Sequence, residues 1–359
     1  MTTRWFRALF LLSSAMVACP SSSGDADGGA DAADAALDWG PPLPWSADAT
    51  PHLPLDDVLR ISDIQALGTH NSYHVESPGN TVPDWHYTMP PLGTQLDLGV
   101  RQLELDIHFF DDEPLQVFHI GALDGMTTCQ LFHDCLVEIA QWSSAHPGHA
   151  PLYIQVEPKT GFPDAATSDT GADNEQYFDE VESEILGVFV RERIITPDEV
   201  RAGGATLGQT VSTVGWPTFA TTRGRVLFTF DNDDSVRAAY SRNQTSLENR
   251  LLFVDSAPGD PIAAVAILND PVADAPKITA ALAAHMIVRV TADDPAQDPV
   301  TNAATLDASL AVSATWISTN FPVPTTDGGY YGALPDGSPR CNPATAPDVC
   351  TQSAVESSP

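Results

Sequence analysis

Four short β-prone runs in the first half of this 359-residue chain each stop at a group of polar, chemically capable side chains. Residues 64–67 run into His70 and Asn71, 100–105 into Asp106, 115–118 into His119, and 151–156 into Glu157 and Lys159. Segments with apolar residues at helical spacing lie among them, at 136–145 and 176–193. Further β-prone runs follow at 225–230, 251–254, 263–268, 286–290 and 315–318, with helical patterns at 277–285 and 306–314. Strands that alternate with helices build a parallel sheet with crossover helices, and about eight strands over about 270 residues favour closure. The expected fold is α/β, a closed (β/α)8 TIM-type barrel in which 61–67, 100–108, 115–119 and 151–159 are the first four wall strands. Ligands bind such barrels at the C-terminal edge of the strands, where all of these polar groups fall.

The termini set the compartment. Arg4 and Arg7 precede an apolar run over 8–17 and then Ala18 and Cys19, so residues 1–18 read as a signal peptide, too short to span a membrane. Residues 14–19 resemble a bacterial lipobox with Met16 as an imperfect first residue, which would make Cys19 a lipidated N-terminus. The expected location is the bacterial cell envelope, as a lipoprotein, with a secreted protein as the alternative. Residues 19–48 read as a disordered acidic tether, and 49–359 as one catalytic domain with a long loop at 75–91. Export implies an oxidising compartment, and four cysteines fall into close pairs, Cys129 with Cys135 and Cys341 with Cys350. Of three connectivities the local pairs are expected, the second pinning a Gly/Pro-rich tail beyond 322. The spacings do not suit structural zinc.

Forty-eight acids against 16 Lys and Arg give a formal charge of −32, which excludes nucleic acid and a polybasic mode of membrane docking. Asn71, Glu104, Asp106 and Glu157 are hard oxygen donors, and Glu104 and Asp106, two apart on a strand, share a face. An all-oxygen set with three carboxylates suits Ca2+, with Mg2+ second; zinc would prefer the histidines. Acids lining a barrel interior without a counter-ion would be costly, which favours a bound cation. His70 and His119, with intrinsic pKa values near ~6.5, can act as an acid and base pair at neutral pH.

Taken together these residues resemble the calcium-dependent, phosphoinositide-specific phospholipase C family, a PLC-like phosphodiesterase barrel, in its bacterial secreted branch. Residues 68–73, Gly-Thr-His-Asn-Ser-Tyr, look like its first catalytic motif, and Glu104-Leu-Asp106 like its second. His119, 13 positions after Asp106, resembles its second catalytic histidine and Glu157 its fourth ligand, and the likeness extends over about 58–322. The resemblance implies a monomeric enzyme that binds Ca2+ through Asn71, Glu104, Asp106 and Glu157 and cleaves an inositol phospholipid at a membrane surface. An inositol hydroxyl would attack and a cyclic phosphate would form. His119 would protonate the leaving alcohol, while the base role stays divided among His70, Glu104 and Glu157. Lys159 and Arg289 are candidate substrate contacts. Lys159 and Lys277 are the only lysines, so the pair that animal members use for phosphorylated rings has no counterpart, which favours unphosphorylated inositol lipids. The rivals are a glycerophosphodiester phosphodiesterase, which usually begins with His-Arg-Gly where this chain has His70-Asn-Ser72, and a non-catalytic lipid- or glycan-binding barrel.

Overall fold

The computed structural model describes residues 39–359 except 111–112, 160–174, 232–233, 242–244, 325–328 and 357–359. The signal peptide, Cys19 and the tether up to residue 38 lie outside the described residues, whereas 39–48, read as the end of a disordered tether, is ordered against the domain: Trp39 stacks on His133 at 4.1 Å and the Leu43 N–H donates to Val188 O at 2.9 Å. Ten strands follow in chain order: β1 Ile64–Thr69, β2 Val100–His108, β3 Gln116–Val117, β4 Leu152–Pro158, β5 Val226–Phe230, β6 Phe253–Val254, β7 Val265–Ile267, β8 Ile287–Thr291, β9 Trp316–Thr319 and β10 Arg340–Cys341. The helices are α1 Leu92–Asp97, α2 Phe132–Ala145, α3 Glu175–Val188, α4 Pro197–Arg201, α5 Leu207–Thr213, α6 Phe219–Thr222, α7 Asp234–Ser241, α8 Ala275–Ala283, α9 Pro299–Ala311 and α10 Gln352–Val355.

Eight strands form a parallel wall in the order β6-β5-β4-β2-β1-β9-β8-β7. The expected barrel is therefore there, but its closure differs from a continuous ring. β6 and β7 meet through one parallel bridge, Asp255 to Val265, and the Asp255 carboxylate accepts the Ile267 N–H at 2.8 Å in place of a strand carbonyl. The expected third wall strand is also corrected. β3 is two residues long and runs antiparallel on the end of β2, with Ile107 opposite Val117, so it is a hairpin return outside the wall. The physical reason is length: the short link between the two runs cannot hold the dozen or more residues a parallel crossover needs.

The wall's two faces divide the sequence. Leu103, Leu105, Ile107, Ile154, Val156, Phe228 and Phe230 alternate with polar residues along their strands and are buried. The alternate positions pair in register: Gln102 with Tyr153, Glu104 with Gln155, and Asp106 with Glu157. Tyr153 stacks on Trp316 across the interior at 5.7 Å, which places this second set inside the barrel. The interior thus passes from aromatic rings to a polar layer and then to carboxylates as the strands run toward their C-terminal ends. Gly68 leaves room for this layer, since a Cβ there would sit 1.9 Å from Gln102 Oε1 and force that buried side chain to move.

Both local disulfides are present, Cys129–Cys135 and Cys341–Cys350. The tail pairs β10 antiparallel with the start of β1, and Ser338 Oγ donates to Gly99 O at 2.7 Å and accepts from Leu67 N at 2.8 Å. Arg223 pairs with buried Asp56 and reaches the Val355 and Ala354 carbonyls, tying α10 to the barrel.

Candidate active site

β1 ends at Thr69, and the backbone then turns through Asn71 at φ 44°, a left-handed value that Asn tolerates better than most residues. The turn directs two consecutive side chains to different partners. His70 Nδ1 lies 2.8 Å from Asn320 Oδ1, and Asn320 is itself fixed by donating its side-chain amide to Asp293. With the amide nitrogen committed to Asp293, its oxygen faces His70, so Nδ1 carries the proton and Nε2 is left as an acceptor. That Nε2 is 3.7 Å from Glu104 Oε1. Burial, with help from Arg289, pulls the His70 pKa down to about 4 against the opposing pull of Asn320 and Asp106, which keeps the ring neutral. Asn71 donates to Tyr87 Oη at 3.2 Å, and its own Oδ1 is buried with no hydrogen-bond partner.

The carboxylates come from three adjacent strands. Glu104 and Asp106 lie on β2 and are almost completely buried, and Glu157 closes β4 beside them. Asp231, directly after β5, joins them: Glu104, Glu157 and Asp231 offer oxygens within 4.8 Å of one another. Gln155 ties the group together, its amide donating to Glu104 Oε2 at 3.0 Å and to Asp231 Oδ2 at 2.9 Å. Burial and the neighbouring Glu157 charge push Asp231 up to about 7, and burial raises Glu104 and Asp106 as well. Raised carboxylates crowded in one place are what a cation would relieve.

These residues fit Ca2+. Oxygens up to 4.8 Å apart can share one ion at the usual Ca2+–oxygen distance of about 2.4 Å, and the orphaned Asn71 Oδ1 is a further neutral oxygen of the kind Ca2+ accepts. The acids are not uncompensated, however, as the sequence reading expected. Arg289 Nη2 lies 2.7 Å from Glu104 Oε2, and Lys159 Nζ lies 2.7 Å from Asp106 and 2.8 Å from Glu157. Lys159 thus stands as one cation between two carboxylates. Arg289 is 2% exposed and also engages Ser318, Thr291 and Asn269, so its guanidinium is built into the wall. It sits among the acids, away from the solvent-facing position expected of a substrate contact.

His119 follows β3. Its Nδ1 lies 2.8 Å from Asp124 Oδ2, and the ring is near enough to Asp106 to favour that residue's charged form. Asp124 also takes His74 Nε2 at 2.9 Å, and His74 Nδ1 faces the Tyr87 carbonyl at 3.0 Å. Burial disfavours the Asp124 carboxylate, but hydrogen bonds from the two histidines outweigh it and hold its pKa at about 2. The 75–91 loop completes the arrangement: Tyr87 stacks on His74 at 4.2 Å and Trp85 meets His119 edge-on at 5.7 Å. Asp231, Asp124, His74 and Asn320 were not among the sequence candidates. Asp231 had a signal, because it ends a strand as the other acids do, and Asp124 lies only five residues after His119; His74 and Asn320 meet their partners 50 and 250 residues away.

The model of the phosphoinositide phospholipase C, Ca2+-dependent family matches residues 59–114 and 108–343. A calcium-dependent phosphoinositol-specific phospholipase C from Pseudomonas sp. superposes with a TM-score of 0.56 at 18% identity, over 78% of this chain and 96% of that one. A Ca2+-dependent phosphatidylinositol-specific phospholipase C from Streptomyces antibioticus gives 0.53 at 20% identity, over 73% and 95%. At such identities the likeness is one of fold. An uncharacterized protein of Mycobacterium tuberculosis is 34% identical over 116 residues, a stretch that is 28% of this chain and 23% of that protein. The extent of the family match decides the assignment: the chain belongs to the family of Ca2+-dependent phosphoinositide phospholipase C enzymes.

Proposed function

We propose that the protein is a phosphodiesterase that cleaves phosphatidylinositol-type lipids to a cyclic inositol phosphate and a diacylglycerol-type alcohol. The observation that carries this reading is the division of the two histidines. His70 presents an unprotonated Nε2 beside Glu104, whereas His119 has its Nδ1 fixed on Asp124, which assigns its other nitrogen to the substrate. His70 accepts the proton of the inositol hydroxyl adjacent to the phosphate, and that oxygen forms the new bond to phosphorus. His119 Nε2 gives its proton to the departing glycerol oxygen as the old P–O bond breaks. Asp124 keeps the His119 ring oriented and stabilises it while it is protonated. Bound through Asn71, Glu104, Glu157, Asp231 and Asp106, Ca2+ would supply charge neutralisation at the phosphoryl oxygens and acidify the attacking hydroxyl. With two lysines in the chain and Lys159 held by acids, an unphosphorylated inositol ring is the better substrate.

The domain reading supports a site of action outside the cytoplasm. A signal peptide at 1–18 and an acidic tether ending before Trp39 precede the barrel, and two disulfides suit an oxidising compartment. Cys19 is the proposed lipid anchor. Product analysis tests the chemistry: the mature protein on phosphatidylinositol, with Ca2+ and with a chelator, should release a cyclic inositol phosphate only with Ca2+. A free alcohol with glycerol phosphate would point to water as nucleophile, and no turnover to a binding barrel.

A further inference from the structure

Lys159 and Arg289 both stand among the carboxylates, but they are held in different ways. Arg289 is anchored by Ser318, Thr291 and Asn269 as well as by Glu104. Lys159 meets two carboxylates, Asp106 at 2.7 Å and Glu157 at 2.8 Å. Both belong to the proposed cation set, and both are reached from one point by a compact ammonium on a flexible four-carbon stem. Lys159 directly follows β4, two residues after Glu157, and its side chain is 19% exposed, so it has a route outward that buried Arg289 lacks.

The geometry makes simultaneous occupancy costly. A divalent ion about 2.4 Å from an Asp106 or Glu157 oxygen that also keeps the ammonium 2.7 Å away would bring the two cations to within about 5 Å of each other. Asp106 without either cation would be a buried charge with no partner, which is itself unfavourable.

We propose that Lys159 is a built-in competitor for the cation site: its ammonium neutralises Asp106 and Glu157 until a divalent ion binds, and the ion then displaces it toward the mouth. There the anionic oxygens of a phosphodiester would receive it, so one lysine serves the empty and the loaded site in turn. This inference rests on the Ca2+ reading above.

Calorimetric titration with Ca2+ alone, on the full mature chain, distinguishes the two. In Lys159→Met the ion no longer competes with an ammonium, and Ca2+ affinity should rise on the order of ten- to a hundredfold over wild type. Affinity that is unchanged or lower in the variant, with wild type binding normally, overturns the competitor role and leaves the Ca2+ site standing. No Ca2+ binding by either protein overturns both readings. If Lys159→Met fails to fold, the wild-type protein still decides the matter, because it has only two lysines. Amine acetylation followed by mass spectrometry should find Lys159 labelled several-fold faster with saturating Ca2+, relative to exposed Lys277. A ratio that does not move with Ca2+ overturns the proposal.

Discussion

His119 donates its Nδ1 proton to Asp124 at 2.8 Å, and the same carboxylate holds His74 at 2.9 Å. The bond to Asp124 leaves His119 one nitrogen for chemistry and fixes where that nitrogen points. In Asp124→Asn the amide can offer His119 a donor instead of an acceptor, which favours the wrong tautomer. We expect kcat to fall roughly 10²- to 10⁴-fold, with little change in KM. Steady-state kinetics on phosphatidylinositol, with a melting curve to verify folding, check this; a kcat within threefold of wild type would remove Asp124 from the mechanism.

The role of His119 as acid has a separate signature. His119→Ala should lose roughly 10²- to 10⁴-fold on a lipid substrate, whose alkoxide leaves poorly, and far less on a nitrophenyl inositol phosphate. His70→Ala should damage both substrates alike. Equal losses on both substrates in the His119 variant would return that residue to a structural role.

Asp231 is the acid that sequence reading left out of the metal set. Asp231→Asn keeps a side-chain oxygen near Gln155 but removes a charge from the Glu104, Glu157 and Asp231 group. Ca2+ affinity should weaken on the order of tenfold or more. Calorimetry measures it, and an unchanged affinity would place the ion elsewhere.

Glu184 on α3 is completely buried and accepts the Leu115 N–H at 2.8 Å. Burial raises its pKa from 4.5 to about 8. A raised carboxylate binds its proton more tightly folded than unfolded, so its contribution is complete below about 4.5 and is lost as pH climbs toward 8. Glu184→Gln should remove that loss, so the variant gains on wild type by on the order of a few kcal/mol between pH 5 and pH 8.5. Denaturant unfolding at the two pH values tests it; parallel stability changes in both proteins would contradict the assignment.

Much of this protein was legible before its structure. β2 occupies residues 100–108 as read, because a run of alternating β-prone residues flanked by breakers leaves little choice. Glu104 and Asp106 share a face through the strand's period of two, and the cysteines pair locally as their spacing suggested. The strand read at 115–119 was misplaced in the wall, although the short link before it is a hairpin signal in its own right. Lys159 could not be matched with Asp106 from sequence, since their meeting depends on the register between β2 and β4. Asn320, 250 residues from His70, was hidden for the same reason, whereas Asp124 lies five residues after His119 and was within reach of a local reading.

The single bridge between β6 and β7 gives the barrel wall a line of least resistance. Every other wall contact is a ladder of at least two paired residues, so a fluctuation that parts the wall should begin where Asp255 and Ser256 span the gap. Amides beside that join would exchange with solvent earliest among the strands, and the exposed turn at 257–261 is where the chain could be cut and re-joined elsewhere with least harm. Asp231, directly after β5, lies one strand from that join and feels the Asp255 charge, so such breathing would reach the edge of the proposed cation site, while Glu104 and Asp106 on β2 lie further along the paired wall.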